Sequence, residues 1–396
     1  VISDPLILLA FMFAVVAFTR YLETRFTFIE KISSAVLCTL LGIFLANVGV
    51  IPTTAESATN AIVFEFAIPY TIVLVILGTN VREILTAGRP LVIGYLLAVF
   101  GSFVGGLSCG VLMHAWVGPE TWKLSGAFAA AFAGGGMNFA AVGQGLEIDG
   151  STFAAAAVAD NLSTVPWLLA QVGLVGVLSV YYAGRARSGG RSGSGGSSGS
   201  SGSGGSGGST DAEAADLRKE WTVTEMSITE MSLLAGIPLA VLWLARQLGE
   251  VIPGIPEVLW LTTIALVLSQ FPFIRKLRGA QVGSYFALHM FFIVLGASSV
   301  VSEVFEAGFP IFGFMIAIIA IHALIVYGFG WLMRLDLPTV SVASQAAVGG
   351  PGSALALSMA MKWDRLVTPG VIVGIFGYAL GNYMGFACSY LVRMLI

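Results

Sequence analysis

"SQAAVGGPGSALALS", residues 344–358, sets two glycines, a proline and a third glycine in the middle of an apolar run. In water such a cluster would be an ordinary turn, because glycine accepts positive φ and proline has no amide hydrogen to give. The composition points to a different solvent. Of 396 residues 57% are hydrophobic and only 10% charged, with a mean hydropathy of +0.90, whereas a soluble domain carries about 25% charged residues. Apolar segments approaching the roughly 20 residues that cross a bilayer as a helix recur along nearly the whole chain. The sequence therefore reads as an all-α polytopic membrane protein, and the glycine cluster as a helix broken at membrane depth. A net charge of −3 suggests no polyanionic partner, nucleic acid included. Cys38, Cys109 and Cys388 lie in apolar segments without metal-type spacing and read as packing residues.

The break has a counterpart. Residues 87–114 align without a gap onto 307–334 at an offset of 220, matching Ala87, Gly88, Pro90, Gly110, Leu112 and Met113 to Ala307, Gly308, Pro310, Gly330, Leu332 and Met333. The next segments then face each other, "FAGGGMNFAAVGQG" against "AAVGGPGSALALSM", pairing Gly135 and Gly136 with Gly349 and Gly350. The chain thus divides into a first membrane repeat (1–184), a Gly/Ser-rich flexible linker on the cytoplasmic side (185–226) and a second membrane repeat (227–396). Each repeat has six apolar segments, of which the fifth is broken. If both broken segments dip in and return, 16 of the 19 basic residues fall on one side of the membrane. If both cross, the basic residues split 8 to 11. The positive-inside bias therefore favours ten spans and two re-entrant hairpins, and an odd number of spans per repeat makes the repeats inverted.

A backbone break in hydrocarbon is costly unless it is buried in protein or lines a cavity. Inverted repeats bring two such breaks together near the midplane, which is how secondary transporters build a solute site. Pro351 suits the first position of a restarting helix. The amides of Gly352 and Ser353 then carry the positive end of its dipole toward an anion or a carbonyl oxygen. Asn138 follows the first break. The expected solute-binding set is Gly135, Gly136, Asn138, Gly349, Gly350, Pro351, Gly352 and Ser353. "AAAAVADNLSTVPW" places Asp160 and Asn161 inside a span, and an intramembrane carboxylate is a functional candidate by default. With Asn382 from the second repeat they form the expected ion-coupling set, for Na⁺ or a proton. His289 and His322 read as hydrogen-bonded packing residues. No zinc motif or other cofactor signature is legible.

Taken together, "GGGMNFAAV", "AAAAVADNL", "GGPGSALALSMAMKW" and "LVTPGVIVGIFGYALGNYMG" make the chain resemble the membrane family catalogued as domain of unknown function 819. That resemblance implies a fold similar to bile-acid, citrate and glutamate symporters and to cation/proton antiporters, which have inverted repeats and often work by an elevator-like shift of a core. It places the chain in a plastid membrane if the source is plant or algal and in the inner membrane if bacterial. The expectation is a non-enzymatic secondary transporter of a small solute, with an organic anion favoured and Na⁺ as a candidate coupling ion. The bilayer and the solute are its expected partners, with homodimerisation left open. The rivals are a channel, or an intramembrane hydrolase using Ser353.

Overall fold

The computed structural model describes residues 1–26, 34–188 and 226–396, and among these the regular structure is helical throughout. In chain order the main helices are α1 (Pro5–Arg25), α2 (Ser34–Asn47), α3 (Ala58–Leu77), α4 (Arg89–Leu112), α5 (Thr121–Gly134), α6 (Gly136–Gly145), α7 (Gly150–Ser188), α8 (Ile228–Val251), α9 (Glu257–Ser269), α10 (Ala280–Ala297), α11 (Val301–Leu332), α12 (Leu337–Ala360) and α13 (Val367–Leu395). Eight helices are long and apolar enough to cross a membrane, and α2 and α9 are shorter apolar helices. The chain is a multi-pass integral membrane protein.

Local chemistry sets the helix ends. Asp4 accepts from the amides of Leu6 and Ile7 at 2.9 and 3.0 Å and Pro5 opens α1. Ser227 and Glu230 form a reciprocal capping box at the start of α8. The second helix of each half stops early: α2 ends at Asn47 and α9 spans only Glu257–Ser269. Gly49 takes a positive φ of 76° just past α2, and Pro272 holds Phe271 extended just past α9. At the other boundary α7 runs on to Ser188, past the repeat boundary read at 184. The remainder of the linker lies outside the described residues.

Both broken segments are hairpins. At the mouth of the first, Lys123 at the start of α5 donates to the carbonyl of Glu147 beyond α6 at 2.6 Å, and Glu120 accepts from the Asp149 amide at 3.0 Å. Both arms also run along α13. A Cβ on Gly385 would meet Ala130 of the first arm at 2.7 Å and Val142 of the second at 2.9 Å. In the second hairpin α12 is one helix by hydrogen bonding but turns back at Gly350, with φ 73° and ψ −171°. Its mouth is closed by Arg365 and Asp336 at 2.6 Å, and a Cβ on Gly370 would meet Val342 of one arm and Ala354 of the other. The first hairpin packs along 377–389 of α13 and the second along 370–374, so they enter from opposite ends of that helix.

The helices pack into two bodies. One joins α1, α2, α3, α8, α9 and α10; the other joins α4, α7, α11, α13 and both hairpins. Each body takes the same positions from each half of the chain: the first three helices in one case, and the fourth, the hairpin and the last helix in the other. Within the second body a stripe of small residues, Gly377, Gly381 and Gly385, lets α13 touch the backbone of α5, where a Cβ at 377 or 381 would meet Ala133 O or Ala130 O at 2.6 and 2.9 Å.

Cysteines placed singly at Glu120 and Asp149 should react with a membrane-impermeant maleimide from one face of a proteoliposome, and cysteines at Asp336 and Arg365 from the other. The native cysteines are buried, which keeps the background low. Labelling of positions 120 and 149 from opposite faces would replace the first hairpin by a crossing helix.

Candidate functional site

The hairpin tips meet. Gly135 has φ 89° and ψ 178° and Gly350 has φ 73° and ψ −171°, a region of backbone space that is essentially glycine's alone. A Cβ on Gly135 would lie 3.8 Å from the Gly350 N and Cα, and one on Gly350 would lie 4.0 Å from the Gly134 carbonyl oxygen. In the sequence alignment Gly350 pairs with Gly136. The strained glycine is instead the first of one aligned pair and the second of the other.

The first tip is held on several sides. The Tyr95 hydroxyl donates to Ala133 O and Ser102 to Phe132 O, each at 2.5 Å; Phe132 is already off the helical backbone, at ψ 17°. Asn138 donates through Nδ2 to Gly377 O and Tyr378 O, both at 3.1 Å. The donor of the expected solute residue Asn138 is thus engaged by α13. His322 ties this assembly to the second hairpin, with Nδ1 2.9 Å from Ser102 Oγ and Nε2 2.8 Å from Ser344 Oγ. One assignment satisfies every partner: Ser344 donates to Nε2, Nδ1–H donates to Ser102, and Ser102 donates to Phe132 O. Ser102 and His322 are 220 residues apart, the offset at which α4 and α11 align.

Around the second tip, Pro351 opens the returning arm against Gly374, and its N and Cα would lie 2.7 Å from a Cβ there. Gly352 follows it in the helix. Ser353 Oγ lies 3.0 Å from Gly350 O and 3.2 Å from Gln345 O, binding the two arms together. A Cβ on Gly349 would meet Thr164 Cγ2 of α7 at 2.8 Å, and the Tyr378 hydroxyl stands over Gly350.

Of the expected ion set, Asp160 is 4% exposed and lies beside Gly136, where a Cβ would sit 3.1 Å from Oδ2. It thus faces the N-terminus of α6, where the helix dipole favours a carboxylate. Asp160 takes part in no ion pair among the described residues. Asn161 donates to Ala157 O of its own helix at 2.8 Å. Asn382 donates to Thr262 of α9 at 2.8 Å, and no hydrogen bond among the described residues joins it to Asp160 or Asn161. The structure therefore gathers seven of the eight expected solute residues and Asp160 at the meeting tips, holds Asn138 against α13, and sets Asn382 against the other body. Tyr95, Ser102, Gln345 and Tyr378 were not singled out by sequence. For Ser102 and His322 the signal was available in their shared offset.

Paired hairpin tips in a multi-pass helical membrane protein are the class that this geometry defines. The chain belongs to the family described as "Protein of unknown function (DUF819)", which matches residues 9–395. It is also similar to the uncharacterized membrane protein YjcL of Bacillus subtilis (strain 168), with 27% identity over 400 residues, covering 97% of this chain and 96% of that protein.

Replacing His322 by Leu leaves Ser102 its bond to Phe132 O but strands the buried Ser344 hydroxyl against an apolar side chain, and stranding a buried polar group costs about 1–3 kcal/mol. A lowered melting midpoint in detergent is expected for His322→Leu, and little change for Gly236→Ala, whose added Cβ meets nothing within 4 Å. Equal midpoints in the two variants would show that the bridge holds nothing together.

Proposed function

We propose that this protein is a secondary active transporter of a small solute, coupled to Na⁺ or H⁺, which alternates access by moving the body that carries both hairpins against the other body. The observation that carries this reading is the meeting of Gly135 and Gly350 at the tips of hairpins that enter from opposite ends of α13. Such a pair of breaks presents helix termini to one point from both sides, which is the arrangement that binds a solute in inverted-repeat carriers. The inverted repeat itself is supported by the way each body draws the same helix positions from each half, and by the contact of Ser102 with His322.

Few side-chain hydrogen bonds join the bodies among the described residues: Asn382 with Thr262, Thr263 with Tyr383, Gln144 with the Phe64 carbonyl, Ser299 with the Gly150 carbonyl, and Tyr285 with Tyr378. A shift of one body against the other breaks these and leaves each densely packed interior intact, the usual basis of a rigid-body transition. Asp160 is the proposed coupling residue, because a buried carboxylate with no ion pair has most to gain from Na⁺ or a proton. The positive end of the arm beginning at Pro351 suits a carboxylate or carbonyl oxygen of the solute, with an organic anion the favoured class. The hydrolase reading is weakened by Ser353 itself, whose hydroxyl is bonded to two backbone carbonyls and, among the described residues, to no histidine.

The test is a thermal-shift series on the purified chain in Na⁺, K⁺ and varied pH, in wild type and Asp160→Asn, paired with solute uptake into proteoliposomes under a sodium or proton gradient. A ligand that binds only the native state must raise the midpoint. A sodium- or proton-dependent rise that disappears in Asp160→Asn, with uptake driven by the same ion, is the expected outcome. An identical rise in the variant would move the coupling site elsewhere, and uptake indifferent to both gradients would contradict coupled transport.

A further inference from the structure

Behind the second tip is a polar pair that no protein group satisfies. Gln345 is fully buried, and among the described residues neither its Nε2 nor its Oε1 has a hydrogen-bond partner; the buried indole N–H of Trp167 has none either. The two residues lie at one level. Gln171 of α7 donates to Ser341 O of α12 at 3.3 Å, and Thr164 sits where a Cβ on Gly349 would be, so α7 and the first arm of α12 run antiparallel with Trp167 and Gln345 between those two contacts. The Trp167 ring also stands edge-on to His322, with centroids 5.9 Å apart, and His322 is bonded to Ser344, the neighbour of Gln345.

The first hairpin differs. Its buried polar side chains Ser125 and Asn138 are hydrogen-bonded within the protein, as are the tip carbonyls of Phe132 and Ala133. Buried polar groups are nearly always paired, because leaving them unpaired forfeits their hydration without return. Three unpaired atoms on two side chains at one level between α7 and α12, beside a helix break, point to a ligand.

We infer that Trp167 and Gln345 bind a neutral hydrogen-bonding group, a hydroxyl or a carboxamide, of the transported solute. The chemistry of the pair selects that class. An indole N–H only donates, so its partner must accept, while the glutamine amide both donates and accepts. A bare cation cannot satisfy the indole. An anionic group would be buried here without a counter-charge, since both ring nitrogens of His322 are already engaged by serines and no lysine or arginine adjoins the pair among the described residues. This inference rests on the transport reading and deepens it: the solute carries a neutral polar end for this pocket, whatever charge its other end presents to the tips.

The full chain in detergent is assayed by thermal shift with millimolar erythritol, ribitol, acetamide and nicotinamide as neutral probes, and acetate, succinate and citrate as anionic ones, in wild type, Gln345→Met and Trp167→Phe. Both substitutions remove a polar group while keeping most of the volume. The inference predicts that at least one neutral probe raises the wild-type midpoint and not that of either variant, and that the variants without probe melt no lower than wild type, because each sheds an unpaired polar atom. A response confined to carboxylates and retained in Gln345→Met overturns it, as does no response to any probe, or a lowered midpoint in both variants. Flux separates this from the transport reading. A neutral probe that binds through Gln345 but never enters proteoliposomes removes transport and keeps the pocket; carboxylate uptake unaffected by Gln345→Met does the reverse.

Discussion

Everything in this fold answers to one constraint: two helices of a membrane protein are broken at buried glycines, where a peptide group that loses its helical partner has no water to turn to. The break at Gly135 is tolerated because Tyr95 and Ser102 reach the carbonyls of Ala133 and Phe132, and because α13 comes close enough for Asn138 to donate to its backbone. The break at Gly350 is tolerated because proline follows it, so one amide that would be stranded does not exist, and because Ser353 closes on the carbonyls at the turn. Each tip also shields the other. The glycine stripe on α13, the buried histidine on α11 and the division into two bodies follow from keeping the tips together and covered.

The two hairpins meet the constraint unequally. The first is fastened by side chains from α4 and by the backbone of α13, and its mouth is closed by Glu120 and Lys123. The second is fastened by Ser353 within itself and by Gln171, His322 and Tyr327 from α7 and α11, yet it keeps Gln345 unpaired at its centre. A well-satisfied polar network fixes one conformation, whereas an incompletely satisfied one leaves free energy for a ligand to supply. In the proposed transport cycle this asymmetry is the reason for assigning solute recognition to the second hairpin and ion coupling to the carboxylate of α7 beside the first.

Much of the architecture was legible in the sequence because the bilayer imposes a simple code. Hydropathy pointed to ten spans, of which eight helices are long and apolar enough to cross while α2 and α9 are shorter; the bias of arginine and lysine favoured hairpins, and the mouths of both are closed by contacts at Glu120, Asp149, Asp336 and Arg365. Within a run such as Gly134-Gly135-Gly136, pattern alone cannot say which residue takes the positive φ, because all three could. The ends of α2 and α9 are not legible for a related reason: Gly49 and Pro272 end the helices by backbone geometry while hydropathy continues past them. The partners of Asp160 and Asn382 depend on which helix faces which. Tertiary packing decides that, and it turns the Asn382 amide to Thr262 and the Asp160 carboxylate to Gly136.

The central claim is that both hairpins belong to one rigid body that moves against the other. Pulsed electron–electron resonance in liposomes addresses it with spin labels at Glu147 and Asp364, one beside each hairpin mouth, and at Ile228 on the opposite body; all three positions are exposed. On adding the ion and solute that stabilise the protein, the 147–364 distance should hold while 147–228 and 364–228 shift. A 147–364 distance that changes as much as the others, or three distances that never change, would contradict the account.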